Sequence, residues 1–514
     1  MMAAPALNRA WRLGDLLAGF ADAGNAGERQ VSALTLDSRS VLPGTLFVAC
    51  QGERGHGLHF ADEAVRQGAS AILAEPTADW SPEAMGLLQA RIGTPVIPVA
   101  GLAARISALA DRFHGEPSAR LEVFGVSGTN GKTSVTHLLA QALQAELSCG
   151  IAGTLGNGFA GDLRPATHTT PDAVSLQATL AELLALGAGA VAMEISSPAL
   201  GQSRAAAVRF SHAVFTNLSR ERLDLHGDTQ APGAAERRLL DAPGLRWAVV
   251  NLDDPDHTQI LAGLRADVRV AAYGLGGDTT LPERCDLWVR AAQVQPRPLG
   301  LHLRIESSVG AGELDAALIG RFNASNLLAV IAVMLSRGLP LERALRELAQ
   351  VRGAPGRMEL FGGNGAPLVV VDCARTPDAL EKALTNLRLH QGRRVITVVG
   401  CGGDRDRGKR PLVGSIAERL SDALILTDDN PRAEDGDAII AAILSGVSHP
   451  EKVRVERQRG LAIRLAIALA GTGDSVLVAG KGHETTQDMG ELKVHFSDRA
   501  QVVEALREWR EGHH

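Results

Sequence analysis

The residues best equipped for chemistry lie in Gly125-Val-Ser-Gly-Thr-Asn-Gly-Lys-Thr133, with Ser134 next. A glycine-rich turn between a strand and a helix aims backbone N–H groups at phosphate oxygens, and the helix adds its positive end. Gly128, Thr129, Asn130, Gly131, Lys132, Thr133 and Ser134 are therefore candidate nucleotide-binding residues. Lys132 would bring a mobile charge to the terminal phosphates, and the Thr133 hydroxyl could hold Mg²⁺. The strict G-x-x-x-x-G-K-[ST] pattern fails at one place, because Val126 occupies its first position and Gly125 lies one residue earlier. An ordinary glycine-rich turn is the competing reading. The strand before, the helix after and the intact Gly-Lys-Thr favour phosphate. Such a loop does not choose among kinases, ATPases and ligases.

Glu194 closes the apolar run Ala190-Val-Ala-Met193. A carboxylate at the end of a second buried strand could help Thr133 hold the metal. Ser196 and Ser197 follow it, so a structural helix cap is the alternative. Other signals are weaker. Cys50, Cys149, Cys285, Cys373 and Cys401 are scattered and form no CxxC pair, which excludes a zinc ribbon or a disulfide scaffold. His226 and His483 read as turn histidines. Gly402-Gly-Asp-Arg-Asp-Arg-Gly408 lacks dinucleotide-fingerprint spacing. Glu236-Arg-Arg238 reads equally well as a solvated helix face.

The elements that must position these groups alternate in type. Thr45–Cys50 and 69–74 read as strands around a helix at 60–67. Residues 121–126 read as the strand before the loop, with a helix over 134–143. Further buried strands are expected at 190–194, 213–217 and 247–251, then at 367–372, 394–400, 423–427 and 475–479. Alternating strands and helices imply an α/β fold with parallel sheets. Three domains are expected: a small N-terminal α/β domain (1–115), a central phosphate-loop domain with a mostly parallel sheet (116–357), and a C-terminal doubly wound, Rossmann-like domain (358–514).

The chain has 514 residues, 45% hydrophobic and 21% charged, as expected of a folded protein. Lys plus Arg is 52 and Asp plus Glu is 58, a net charge of −6, so nothing draws it to nucleic acid or an anionic membrane. With 3% aromatics, no base-stacking platform is expected. There is no apolar run of about 18 residues and no signal-peptide layout. A cytoplasmic protein without a membrane span is expected, acting as a monomer on small molecules.

Several further motifs run in order along the chain. They include Asp37-Ser-Arg39, Thr169-Thr-Pro-Asp172, Glu194-Ile-Ser-Ser197, Phe215-Thr-Asn-Leu-Ser-Arg220, Arg321-Phe-Asn-Ala-Ser-Asn326 and Pro355-Gly-Arg357. Thr376-Pro-Asp-Ala-Leu380, Gly400-Cys-Gly-Gly-Asp-Arg405, Asp429-Asn-Pro-Arg432 and Gly480-Lys-Gly-His-Glu484 follow. With the phosphate loop, they make the chain resemble the Mur ligases, most closely those of the UDP-N-acetylmuramoyl-tripeptide synthetase (MurE) type. The resemblance implies domains for the uridine nucleotide, for ATP and for an amino acid. It implies a ligase that converts a substrate carboxylate into an acyl phosphate with ATP and Mg²⁺, then forms an amide. The implied product is UDP-MurNAc-L-Ala-D-Glu carrying meso-diaminopimelate or a similar diamino acid. Carried over by position, Ser38 and Arg39, after Asp37, would face the uridine end. Thr169, Thr170, Ser196 and Arg204 would hold the muramoyl-dipeptide. Asn323, Asn326 and Arg357 would contact adenine, ribose or phosphate. Asp429, Asn430 and Arg432 match the signature for meso-diaminopimelate, Gly480 and Glu484 would receive its distal end, and Arg405 would assist.

The chain departs from the family pattern where the chemistry is done. Glu221-Arg222 replaces Asp-His, Glu236 replaces a carbamylated lysine, Cys373-Ala-Arg375 replaces Tyr-Ala-His, and Pro198 replaces a histidine. Arginine has no lone pair for a metal, so Arg222 is not a ligand. Lys132, Glu194, Arg222, Glu236 and Arg375 are the expected catalytic shell, with Arg222 and Glu236 forming an ion pair in place of a second metal. Two other readings stay open: a nucleotide-binding homologue that regulates without catalysis, and a ligase for a substrate outside peptidoglycan.

Overall fold

In the computed structural model, residues 10–52, 55–166, 168–218, 234–276, 280–390 and 393–512 are described. The described residues form two compact units: those up to 132, within 143–271 and at 284–286 in the first, and those within 133–142, 272–283 and from 287 onward in the second.

The first unit opens on a four-stranded parallel sheet: β1 (Ala33–Thr35), β2 (Thr45–Ala49), β3 (Ala69–Ala74) and β4 (Val96–Pro98), in that order. β2 is buried throughout, as both faces of a covered parallel sheet require. α1 (Ala61–Arg66) lies between β2 and β3. The next sheet is built around β5 (Glu122–Ser127), which leads through the glycine-rich turn into α2 (Lys132–Leu143). β6 (Cys149–Gly153), β7 (Gly156–Phe159) and β8 (Asp162–Arg164) follow, then β9 (Ala190–Glu194), the short α3 (Ser197–Gly201) and β10 (Phe210–Phe215). α4 (Ala234–Leu240), β11 (Trp247–Asn251) and β12 (Arg269–Gly274) complete the set. The strand order is β8-β7-β6-β9-β5-β10-β11-β12. β6, β9, β5, β10 and β11 are parallel, while β7 and β8 fold back antiparallel. The sheet is therefore mixed at one edge and otherwise parallel, as the expected mostly parallel sheet allows.

The second unit contains an antiparallel set that was not anticipated: β13 (Leu287–Arg297), β14 (Gly300–Ser307) and β15 (Gly310–Ala316). α5 (Arg321–Ser336) follows. Next come β16 (Glu359–Gly362), β17 (Leu368–Asp372), α6 (Pro377–His390), β18 (Val395–Val399), β19 (Ala423–Leu426) and β20 (Arg454–Val455). α7 (Arg459–Leu469), β21 (Ser475–Ala479) and α8 (Asp498–Glu511) end the chain. The sheet order is β16-β17-β21-β18-β19-β20, parallel except for the edge strand β16. Apolar clusters line both faces, one with α6 residues such as Leu384 and Leu387, the other with α7 and α8 residues such as Ile463 and Leu506. This is the doubly wound arrangement. Among the described residues no helix is long and apolar enough to cross a membrane.

One buried ion pair ties this sheet to its helices. Arg459 and Asp498 are both fully buried and meet through two hydrogen bonds of 2.7 and 2.8 Å. Arg459 also donates to the Ala479 carbonyl at 2.9 Å, the last carbonyl of β21. Removing one partner strands a charge in the core, which typically costs about 3–5 kcal/mol. Asp498→Ala should lose about that much stability in urea denaturation; a loss below about 1 kcal/mol would contradict this role for the pair.

Candidate active site

The chemistry-bearing groups of the first unit stand at the carboxyl ends of β5, β6, β9 and β10. Lys132 folds over the turn that precedes it, with Nζ 2.6 Å from the Gly128 carbonyl and 3.1 Å from that of Thr129. The turn is braced from β10. The Asn217 carbonyl accepts the Thr129 N–H at 2.8 Å, and Asn217 Oδ1 accepts the Asn130 N–H at 3.0 Å. The Thr216 hydroxyl donates to the Asn130 carbonyl at 2.6 Å. Gly128 has φ +133°, and a Cβ there would lie 2.2 Å from Thr216 Oγ1, so only glycine fits against this brace. The amides of Thr129 and Asn130 are thus used inside the protein.

Glu194 is 1% exposed and pairs in register with Val126, so its carboxylate sits one strand over from the loop. It accepts the Thr154 N–H at 2.8 Å on Oε1 and the Thr154 hydroxyl at 2.9 Å on Oε2. It is not a helix cap: the residue capping α3 is Ser196. Thr170 donates its hydroxyl to the Glu194 carbonyl at 2.9 Å and accepts the Ser196 N–H at 3.0 Å. Thr169 lies 3.1 Å from the Thr154 hydroxyl, and Arg204 Nη1 donates to the Thr170 carbonyl at 2.9 Å. The four residues expected to hold one substrate thus gather around Glu194. Thr154 carries part of this geometry without having been singled out, and Thr216 and Asn217 entered only within the Phe215–Arg220 motif. Their signal was a short polar residue directly after a buried strand.

Glu236 is no part of a solvated face. It is 7% exposed in the first turn of α4 and accepts the Ser197 hydroxyl at 2.6 Å on Oε1. Arg222 and Glu221 lie outside the described residues, as does His226. In the N-terminal sheet, Arg39 is exposed and paired with Asp37. Ser38 is 6% exposed and its hydroxyl donates inward to Glu63 at 2.6 Å, so it does not face outward as Arg39 does.

In the second unit four motifs each follow a parallel strand. Cys373–Pro377 leaves β17, Gly400–Arg405 leaves β18, Thr427–Arg432 leaves β19 and Gly480–Glu484 leaves β21. Asn430 Nδ2 donates to Glu484 Oε2 at 2.9 Å. Lys481 is fully buried and spends its three N–H bonds on Asn430 Oδ1 (2.9 Å), Glu484 Oε2 (2.9 Å) and the Thr486 carbonyl (2.7 Å). Arg375 takes the other Glu484 oxygen, and its Nε donates to the Gly480 carbonyl at 3.0 Å. Burial alone would raise the Glu484 pKa, but Arg375, Asn430 and Lys481 outweigh it and bring it down to about 2. Asp429 is 4% exposed, and its Oδ2 has no hydrogen-bond partner. Arg432 has φ +53° and is partly buried, with Nη1 on the Gly403 carbonyl and Nε 4.0 Å from Asp488. It is not a free loop arginine. Arg405 is exposed.

The turn at Pro355-Gly-Arg357 meets the Gly480–Glu484 loop. A Cβ on Gly356, with φ +65°, would lie 2.2 Å from the His483 backbone nitrogen. Arg357 Nη1 donates to Cys373 Sγ. Asn323 and Asn326 are buried near the start of α5; Asn323 donates to the Ile319 carbonyl at 2.8 Å, and Asn326 to Asn323 Oδ1 at 3.0 Å. The turn that carries the expected nucleotide residue Arg357 thus packs against Gly482 and His483, in the loop that carries the expected amino-acid residues Gly480 and Glu484.

Comparison with known proteins agrees with this geometry. The Mur ligase middle domain matches residues 126–334, the glutamate ligase domain of the same enzymes matches 356–482, and the Mur ligase family catalytic domain matches 30–114. A diaminopimelate ligase, UDP-N-acetylmuramoyl-L-alanyl-D-glutamate--2,6-diaminopimelate ligase of Alkalilimnicola ehrlichii, is 48% identical over 499 residues, 97% of this chain and 99% of that protein. The chain belongs to the Mur ligase family. The Pseudomonas aeruginosa protein of the same name is 48% identical over 484 residues, 94% of this chain and 96% of that one. A solved structure of a ligase with that name superposes with TM-score 0.71 at 30% identity, covering 98% of this chain and 100% of that one. This Mur ligase therefore has the family's α/β fold over its whole matched length.

The sign of the Glu484 shift makes a measurable difference. A carboxylate whose folded pKa lies below its ordinary 4.5 stabilises the fold above that value and loses the contribution as pH falls toward about 2. Wild type should therefore exceed Glu484→Gln in urea-denaturation stability at neutral pH. The margin should shrink steadily below pH 4.5. A margin that stays constant down to about pH 3 would overturn the assignment.

Proposed function

We propose that this Mur ligase adds meso-diaminopimelate, or a closely similar diamino acid, to UDP-N-acetylmuramoyl-L-alanyl-D-glutamate in peptidoglycan precursor synthesis, with ATP and Mg²⁺. What carries the reading is the near-full-length match to ligases of that name, together with the intact Asp429-Asn-Pro-Arg432 and Gly480–Glu484 loops. The proposed domains are 1–115 for the uridine nucleotide, 116–357 for ATP and 358–514 for the amino acid, in a monomeric cytoplasmic enzyme.

The reaction has two balanced steps. The substrate carboxylate attacks the γ-phosphorus and the bond to ADP breaks, giving an acyl phosphate. The amine of the amino acid then attacks the acyl carbon, phosphate leaves, and the ammonium formed loses a proton. Phosphoryl transfer of this kind asks a protein for position and charge more than for covalent help. Lys132 supplies charge beside the β- and γ-phosphates. Thr170, Ser196 and Arg204 orient the substrate carboxylate at the edge that carries Glu194. The Thr133 hydroxyl and the Glu194 carboxylate are hard oxygen donors and would hold Mg²⁺, which supplies charge to the phosphates. In the amino-acid pocket, Arg432 binds a carboxylate through its fork of donors. Glu484 Oε1, which accepts from Arg375, keeps a second lone pair for an ammonium, while Oε2 already accepts from Asn430 and Lys481. Glu236, Arg222 and Arg375 form the altered shell. In this reading Arg222 and Glu236 pair and give fixed charge where the family holds a carbamate and a second metal.

A panel of amino acids with UDP-MurNAc-L-Ala-D-Glu tests the proposal. Phosphate and ADP release should rise at least about tenfold with meso-diaminopimelate over lysine, and Lys132→Ala should cut it by about a hundredfold or more. ATP binding without amino-acid-dependent release would favour the regulatory reading. Because Glu236 is not a lysine, removing bicarbonate should leave the rate unchanged within about twofold; a steep loss would disprove the altered shell.

A further inference from the structure

Gln141 lies on α2, nine residues past Lys132, and its amide closes on a backbone unit 211 positions away. Its Oε1 accepts the Arg352 N–H at 2.9 Å, and its Nε2 donates to the Arg352 carbonyl at 2.9 Å. The same Nε2 lies 3.2 Å from the His137 carbonyl, one turn earlier on α2. A side-chain amide that engages both the N–H and the C=O of one residue fixes that residue's position and rotation. All of these residues belong to the second unit.

Arg352 opens the segment that ends in Arg357. The rest of the segment is held from other sides. The Ala354 carbonyl accepts the Arg357 N–H at 3.0 Å. Glu359 accepts the Gly356 N–H at 2.8 Å and is itself held by Arg499 at 2.7 and 2.8 Å. Asp372 accepts the Met358 N–H at 2.8 Å. Within this frame the Arg357 guanidinium reaches Cys373, while its Nε is buried without a hydrogen-bond partner. His137, on the Gln141 face of α2, is 3% exposed, and its Nε2 also lacks a partner. Burial, then the charges of Arg357 and His483, push the His137 pKa down to about 4, so its ring adds no charge against the guanidinium at neutral pH.

We propose that Gln141 is a positioning residue for Arg357: it locks the 352–357 turn onto α2 and thereby fixes the guanidinium relative to the helix that begins with Lys132 and Thr133. The inference rests on the reading that Arg357 contacts ATP. A purely structural clamp would alter stability without passing its effect through Arg357.

The test is ATP binding by calorimetry to the full chain as wild type, Gln141→Leu, Arg357→Ala and the double variant. Arg357→Ala should weaken binding about tenfold or more, and Gln141→Leu about three- to tenfold. The double variant should bind within about twofold of Arg357→Ala alone, because the clamp has nothing left to position. Losses that multiply, or a Gln141→Leu chain that folds and binds like wild type, overturn the proposal while the reading of Arg357 stands. Wild-type affinity in Arg357→Ala overturns that reading and the proposal together. If Gln141→Leu does not fold, Gln141→Glu, which keeps the acceptor and loses the donor, carries the same comparison.

Discussion

Parallel strands deliver their carboxyl ends, and the loops that leave them, to one edge of a sheet. The candidate sites of both units depend on this constraint. In the first unit the edge gathers the glycine-rich turn, Thr154, Glu194 and the Thr216–Asn217 brace from four strands. In the second it gathers Arg375, Arg432, Gly480 and Glu484 from β17, β19 and β21. The antiparallel strands sit toward sheet edges, where they do not interrupt that alignment.

The second site is dominated by compensated charge. A carboxylate as buried as Glu484 would favour its neutral form in apolar surroundings. Arg375 on one oxygen, with Asn430 and Lys481 on the other, reverses that preference. Lys481 lies in a glycine-rich turn after β21. Its burial with three satisfied donors makes it an internal strut between the Asp429–Arg432 and Gly480–Glu484 loops. Beneath it, Arg459 and Asp498 hold the end of β21, so the loop begins from a fixed point.

Three departures from the family pattern, at Glu236, Pro198 and Arg375, are built in rather than left loose. Glu236 is buried and bonded to Ser197, so its charge has a partner inside the fold. Pro198 stands in the first turn of α3, where a missing N–H costs no helical bond. Arg375 fills its place with two contacts to the Gly480–Glu484 loop. These three substitutions thus have defined local partners or places.

Much of this was legible in the sequence. Buried parallel strands are continuous apolar runs, so β3, β9, β11 and β21 fall where the pattern put them, β5 shifts by one residue, β17 starts one residue later, and β10 starts three residues earlier and ends two earlier. The glycine-rich turn, Glu194 and the ordered motifs were readable because their chemistry is local: few residue types suit a positive φ, a phosphate or a bidentate carboxylate. The antiparallel β13–β15 set was not read, because half-buried alternating strands give a weaker pattern than buried ones. Nor could spacing reveal which donors were already spent. That Asn217 consumes two loop amides, that Ser38 turns inward to Glu63, and that Gln141 grips Arg352 are contacts between residues far apart in the chain. Sequence determined which groups stand at the strand ends. Only tertiary packing decided which of them face one another, because hydrogen bonds depend on separation in space and not along the chain.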